Sequence, residues 1–485
     1  MSLIAFTLRK ICIKSTASTR TFLAGSLLMA ASAQPALAQG ATRPDEAPRH
    51  SFIVVLDEES VGLTHEGSVD RQRTLALTAR LTRDISVQGG VRPRAILGHL
   101  GMFVVDASQS QAERLAGLPG VTLVEEDTLA KPSALPSCFS PTSFPQANSY
   151  DPMSPQPIQC WDPQLNCVDS WALDRIDQRS GNQALHTLDA KFYFGARGNG
   201  VHIYVLDTGL VPTHSEFALA GSGTRVGNGT NFAITGQCPP NQLTSSCGDR
   251  PAWDTYDGSG HGTLVTSVAA GRRFGVAKSA IVHPVRVSND LSRIWSSWAI
   301  SGLDWVAANA VRPAVVNLSA NYEKSLGDTT GLDLAVTRLI NNYGIPVVNS
   351  AGNKNRAANQ FSPTSLAEVI VVAGTDWNNY RYGAGAPPSC TSEFCGSNWG
   401  PEIDLFAPAV DILGAMASSG QSYACIGTGT SFAAPLVTGV VAQYLQNNPA
   451  ASPSLIQTIL IERATTQAVQ GDLRGSPNRL LFTDF

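Results

Sequence analysis

From about residue 200 onward the chain alternates nearly continuous apolar runs with stretches of helical period. The runs at 201–206, 281–287, 314–318, 345–348 and 369–372 are apolar at almost every position rather than at every second one. Strands of that kind are buried on both faces, which predicts a mostly parallel sheet between helix layers. Helical patterns separate several of them, at 298–309 and 332–343. A small-residue helix starts at His261, and another helix is expected over 432–445, opened by Ser431, with Pro435 tolerated near its first turn. The expected class is α/β, a mostly parallel sheet with helices on both faces.

The first third has a different texture. An apolar strand at 52–56 leads into a polar, helix-like stretch from about 68 to 86, then a strand at 99–106, a short helix near 109–116 and a strand at 121–125. Ser108 reads as the cap of the short helix, with Glu113 off capping-box register. A strand–helix–strand–(strand)–helix–strand order within about 80 residues predicts a ferredoxin-like α/β module. The expected organisation is an export signal at 1–38, a linker at 39–50, this module at 51–131, a Pro/Cys-rich connector at 132–170 and the large domain at 171–485.

Composition narrows the partners. Charged residues are only 15% of 485, and a net charge of -4 is spread without long runs. That argues against nucleic acid and against a polybasic membrane anchor. Arg9, Lys10, Lys14 and Arg20 lead an apolar stretch at 21–31, and Pro35-Ala36-Leu37-Ala38 fits a cleavage site before Gln39. The apolar run is too short for the ~20 residues that span a bilayer. The mature chain is therefore expected in the periplasm or medium, free of membrane and monomeric. Of nine cysteines, Cys12 falls in the signal, and the remaining even number favours disulfides in an exported chain. Close spacing favours Cys160–Cys167, Cys238–Cys247 and Cys390–Cys395, leaving Cys138 with Cys425; other pairings stay open.

The chemistry concentrates in four segments. Ser431 lies in Gly429-Thr430-Ser431-Phe432-Ala433-Ala434-Pro435. A serine is a weak nucleophile at neutral pH and needs a base, an orienting acid and help for the oxyanion. Asp207 in Val205-Leu206-Asp207-Thr208-Gly209, His261 in Gly260-His261-Gly262-Thr263 and Asn353 in Ser350-Ala351-Gly352-Asn353 supply a candidate for each. Any one alone would read as a turn residue. Asp207 and Asn353 fall just past predicted strand ends, where functional groups gather in parallel sheets. A helix amino terminus at Ser431 would aim free N–H groups at the attacked carbonyl.

These segments resemble those of the subtilisin-like serine peptidases, nearest the proteinase K-like branch. Trp171 to Ile176, Phe274-Gly275-Val276-Ala277, Ile403 to Pro408 and Gly471 to Leu480 are similar too, so the resemblance covers about 171–485, and 51–131 resembles the family's inhibitor-like propeptide. It implies a secreted endopeptidase made as a precursor that processes itself, with protein or peptide substrates and its own propeptide as intramolecular inhibitor. Ser431 would be nucleophile, His261 general base, Asp207 its orienting partner and Asn353 an oxyanion donor. Ser319, Ala320, Asn321, Ala351 and Gly352 would line the substrate strand. The chemistry requires no cofactor. Structural calcium is common in the family, and Asp404 matches one such position, with the carbonyls of Ala367 and Val369 as companions. A single aspartate at a strand end equally serves as a cap or ion-pair partner.

Three departures stand out. Leu264 replaces the histidine of His-Gly-Thr-His, and Leu436 replaces that of Pro-His-Val. Asn317-Leu318-Ser319-Ala320-Asn321 stands where the family has a Gly-Gly strand that pairs with substrate, so Ala320 and Asn321 are expected to narrow the cleft or change its preference. The alternative is a catalytically impaired relative that binds peptides. An esterase is disfavoured, because no Gly-x-Ser-x-Gly elbow surrounds Ser431.

Overall fold

The computed structural model describes residues 49–485 apart from 64–68, 131–136, 139–157, 161–169, 182–187, 190, 220–222, 239, 241–246, 386–393 and 418–423. The first module runs β1 (His50–Leu56), α1 (Arg71–Gly89), β2 (Pro93–Leu97), β3 (Met102–Ala107), α2 (Gln109–Ala116) and β4 (Val121–Glu126). Its strands are antiparallel in the order β2-β3-β1-β4, a ferredoxin-like sheet. Asp70 starts α1 by accepting the N–H of Arg73, and Gly90 ends it in the left-handed region. Ser108 caps α2 within a complete capping box after all. The reciprocal partner is Gln111, not Glu113, whose side chain takes the Ser108 N–H at 2.9 Å.

Short elements follow: β5 (Leu129–Ala130), β6 (Ser137–Cys138), β7 (Ile158–Cys160), α3 (Trp171–Ile176) and β8 (Lys191–Tyr193). The large domain, which α3 and β8 already open, continues with β9 (His202–Asp207), β10 (Thr230–Asn231), α4 (His261–Ala270), β11 (Ile281–Arg286), β12 (Ile294–Trp295), α5 (Ser296–Asn309) and β13 (Ala314–Leu318). It continues through β14 (Tyr322–Glu323), α6 (Gly331–Asn341), β15 (Val347–Ser350), β16 (Phe361–Ser362), β17 (Ile370–Thr375) and β18 (Leu405–Pro408). It closes with β19 (Ile412–Ala415), β20 (Ala424–Gly427), α7 (Thr430–Asn447), α8 (Pro453–Arg463), β21 (Thr465–Thr466) and β22 (Arg479–Leu480).

The main sheet has nine strands in the order β10-β11-β9-β13-β15-β17-β18-β22-β21. Neighbours are parallel except at the β22–β21 end. Alternation along each strand feeds two cores. Ile203 and Val205 of β9 point with Val315, Val348 and Ile370 toward α4, α7 and α8. Tyr204 and Leu206 point with Val316 and Val347 toward α5 and α6, whose outer side is covered by β1 and β3 of the first module in the same cluster. Both faces are thus buried, the reason the strand sequences lack alternation. No described helix is long and apolar enough to cross a membrane.

Cys238 and Cys247 form a disulfide, and Cys395 is disulfide-bonded as well. The side chains of Cys138, Cys160, Cys167, Cys390 and Cys425 lie outside the described set, as does the export signal.

Candidate active site

Four segments carry the four residues: β9, the starts of α4 and α7, and the turn after β15. β9 ends at Asp207, whose Oδ1 takes the Thr208 N–H at 2.7 Å and faces His261 Nδ1 at 2.7 Å. His261 is the first residue of α4 and is fully buried. Burial opposes its charged form most strongly. The charge and hydrogen bond of Asp207, with the charge of Asp257, outweigh that and hold the imidazole above the ordinary histidine value. Ser431 is the second residue of α7, and the ring of Phe432 beside it lies 5.4 Å from the His261 ring. Gly429 precedes the helix at φ 145°, where a Cβ would press on Asn353 Nδ2 at 3.2 Å, so this turn favours glycine.

Pro435 sits further inside α7 than its first turn, contrary to the sequence reading. Having no N–H, it leaves the Ser431 carbonyl without its usual helical donor. Ser319 Oγ reaches that carbonyl at 3.4 Å instead. The proline thus frees an acceptor beside the serine.

Asn353 lies just after β15, beyond Ala351 and Gly352. Its Oδ1 accepts the Thr430 N–H at 2.8 Å, which turns Nδ2 toward the site. Ala351 is buried and donates its N–H to Val372. Gly352 has φ 97°, and a Cβ there would meet Asn398 Nδ2 at 2.5 Å and Asn321 Oδ1 at 3.3 Å. Ser431 Oγ, His261 Nε2 and Asn353 Nδ2 are all buried, and none has a hydrogen-bond partner among the described residues. Buried polar atoms normally find partners. Here the three unsatisfied ones lie on adjoining segments, with the Phe432 ring 5.4 Å from the His261 ring and Asn353 bonded to Thr430.

The expected cleft strand divides. Ala320 is fully buried in the core, so its methyl does not narrow the cleft. Asn321 does face the cleft: its Nδ2 donates to the Ser350 carbonyl at 2.8 Å, tying the 319–321 and 350–353 segments together. Asn321, Gly352 and Asn353 line a cavity of about 230 Å³ with Glu323, Lys354, Phe361 and the strand Leu129–Ala130. Leu264 and Leu436 are buried in the core of α4 and α7, as apolar packing groups.

The first module is fastened to this region by two carboxylates. Asp127 Oδ1 accepts the Ser297 N–H at 2.9 Å and Glu125 Oε1 the Gly331 N–H at 2.8 Å, so each sits at the amino end of a large-domain helix, α5 and α6. Burial raises both carboxyls, Glu125 to about 7. β5 then pairs antiparallel with β12.

The calcium expectation meets an obstacle. The oxygens of Ala367, Val369 and Asp404 do converge, but on a protein group: Gln457 Nε2 lies 2.9, 3.4 and 3.0 Å from them. A carboxamide donor from α8 stands where a cation would have to sit, so these residues do not fit a bound calcium. Burial raises Asp404 to about 6. Among the described residues no other group of His, Cys, Asp or Glu could hold a metal. Sequence reading missed Gln457, because its separation from Asp404 carries no motif. It also missed Asp257, although an aspartate shortly before a predicted helix is a cap signal.

Comparison with known proteins agrees with this geometry. Residues 198–476 match the Subtilase family. The chain belongs to that family. As a subtilase it is a serine-type endopeptidase. It is 32% identical over 461 residues to an extracellular serine proteinase of Thermus sp. (strain Rt41A), covering 94% of each chain. It is 34% identical to alkaline serine exoprotease A of Vibrio alginolyticus, over 79% of this chain and 58% of that one. Among solved structures it resembles a cold-adapted subtilisin-like serine proteinase, with TM-score 0.53 and 36% identity over 64% of this chain and 97% of that one.

Proposed function

We propose that this subtilase is an exported precursor that cuts peptide bonds through an acyl-enzyme on Ser431 and removes its own first module. The carrying observation is the set of three buried, partnerless atoms, Ser431 Oγ, His261 Nε2 and Asn353 Nδ2, beside a 2.7 Å Asp207–His261 contact. In this reading His261 Nε2 takes the Ser431 proton as Oγ bonds to the carbonyl carbon. The carbonyl π electrons move to oxygen, where Asn353 Nδ2 and the Ser431 N–H receive them. The C–N bond then breaks, His261 returns the proton to the leaving amine, and water repeats the sequence on the ester. Asp207 fixes the tautomer and supports the imidazolium.

Self-processing is supported by the two strands that flank the site. β5 pairs with β12 at the cavity bordered by Asn353, and β6 pairs with β20, the strand that leads into α7. The bond to be cut then lies between Ala130 and Ser137. Pro132 and Pro136 disfavour four of the seven bonds there, leaving Ala130–Lys131, Ser133–Ala134 and Ala134–Leu135. Secretion follows the export signal, and the Thermus relative is named an extracellular proteinase.

Expressing the chain and its Ser431→Ala variant tests this. The wild type is expected to lose its first module, to show Lys131, Ala134 or Leu135 at the new amino terminus and to label with a fluorophosphonate. Ser431→Ala does none of these. A wild type that neither processes nor labels refutes the reading and favours a peptide-binding relative.

A further inference from the structure

Beside the proposed triad stands a second buried aspartate, Asp257. It is buried, 1% exposed, and lies a few residues ahead of His261 in the loop that enters α4. Its Oδ1 accepts the Gly260 N–H at 2.8 Å, the Ser259 N–H at 3.1 Å and Thr208 Oγ1 at 2.8 Å. Its Oδ2 accepts the Thr263 N–H at 2.7 Å. Burial raises this carboxyl above its ordinary value, and every group that meets it is a donor, which works the other way and favours the carboxylate.

Those donors come from two places. Gly260 and Thr263 bracket His261 at the start of α4. Thr208 is the residue after Asp207, and its own Oγ1 accepts the Gly262 N–H at 2.8 Å. Asp257 and Thr208 therefore lock the strand end that carries Asp207 to the helix end that carries His261. A further link, from the Val211 N–H to Thr263 Oγ1 at 3.1 Å, runs parallel to it. Helix α4 has no cap from its own Gly260, so Asp257 fills that office as well.

We propose that Asp257 is a positioning residue for the Asp207–His261 pair and a second fixed anion behind the imidazolium. The inference rests on the triad reading. Geometry explains why one residue does both. The carboxylate that stitches the two segments lies in the loop just before His261, and both side chains are buried, where charges are screened least. The charged groups facing His261 are Asp207 from β9 and Asp257 from the loop. α7 offers Phe432 and Ser431, and β19 packs Gly414 and Ala415 on Leu264 and Ser267, all uncharged. Removing the Asp257 charge leaves Asp207 alone against the burial that disfavours the cation.

The test uses the processed enzyme with a chromogenic peptide anilide. Asp257→Asn keeps an oxygen acceptor and removes the charge. It is expected to lower kcat about tenfold at unchanged KM. The acid limb of kcat/KM should move down by about half a unit or more. Thr208→Val, which cuts the stitch and spares the charge, is expected to lower kcat while leaving the acid limb in place. If Asp257→Asn fails to mature, the same question is put to the uncleaved Ser431→Ala chain. There the His261 ring protons are titrated by NMR with and without Asp257→Asn, and the histidine should ionise at lower pH in the double variant. Asp257→Asn with wild-type kcat and acid limb and only a lower Tm would overturn the proposal, leaving Asp257 a helix cap. An inactive wild type would instead sink the triad reading beneath it.

Discussion

Gln457 offers a quantitative test of how this fold holds its α8 corner. The Gln457→Ala variant withdraws one carboxamide from three acceptors, of which Ala367 O at 2.9 Å and Asp404 Oδ1 at 3.0 Å are the close ones. Leaving a buried acceptor unpaired costs about 1–3 kcal/mol. Gln457 is only partly buried, and water will restore part of that loss, so a net cost of about 2 kcal/mol is expected. For a domain of this size that lowers Tm by about 4 °C. The assay is thermal unfolding by circular dichroism in the Ser431→Ala chain, which cannot digest itself, with EDTA or with millimolar calcium. Calcium is expected to leave the parent unchanged at this site. Gln457→Glu should behave oppositely: two facing carboxylates destabilise the corner until calcium bridges them and restores Tm. The reasoning fails if the parent is stabilised by calcium and that gain disappears in Asp404→Asn, for then a cation and not the amide occupies the point.

Other outcomes follow from the same contacts. Gly352→Ala should reduce kcat/KM by at least about tenfold, read with a peptide anilide, because its Cβ would press on Asn398 and shift the Asn353 loop. Arg338→Met should hasten loss of the cleaved first module, followed by size exclusion. It removes buried donors to Leu100 O at 2.6 Å and Leu56 O at 2.7 Å and the pair with Glu58 at 3.1 Å, about 1.5–3 kcal/mol each before resolvation. The interface should also loosen with rising pH. Burial lifts Glu125 and Asp304, which meets the His99 and Leu100 N–H groups, to about 7, above their ordinary values. Such groups stabilise assembly below about pH 4 and lose that contribution as pH climbs toward 7. Retention of the cleaved module on a fluorophosphonate-blocked enzyme should therefore be greater at pH 5 than at pH 8; equal retention would show that these carboxyls stay ionised.

What could be read from the chain was whatever has a local signature. Continuous apolar strands announced a sheet covered on both faces, and Asp207, His261, Asn353 and Ser431 came from short segments whose spacing is rigid within each element. Ala320 and Asn321 looked like one departure, yet in the link between β13 and β14 one methyl is core and one amide faces the cavity. Pro435 looked like a tolerated irregularity near a helix start. Only its position inside α7 shows that it leaves the Ser431 carbonyl to Ser319. Gln457 was beyond reach, because a donor that replaces an ion is defined by three oxygens from distant segments.

Asp127 and Glu125, seated on the amino ends of α5 and α6, have a consequence beyond geometry. While the chain is whole, the two carboxylates are tethered to those helices, and their local concentration does not depend on how much protein is present. One hydrolysed bond turns the same contacts into an ordinary encounter between two molecules. Their grip then falls with dilution. If the module is cut as proposed, it should stay seated in a crowded compartment and drift off in a large outside volume. On this reading the volume into which the protein is released acts as a second signal after the cut.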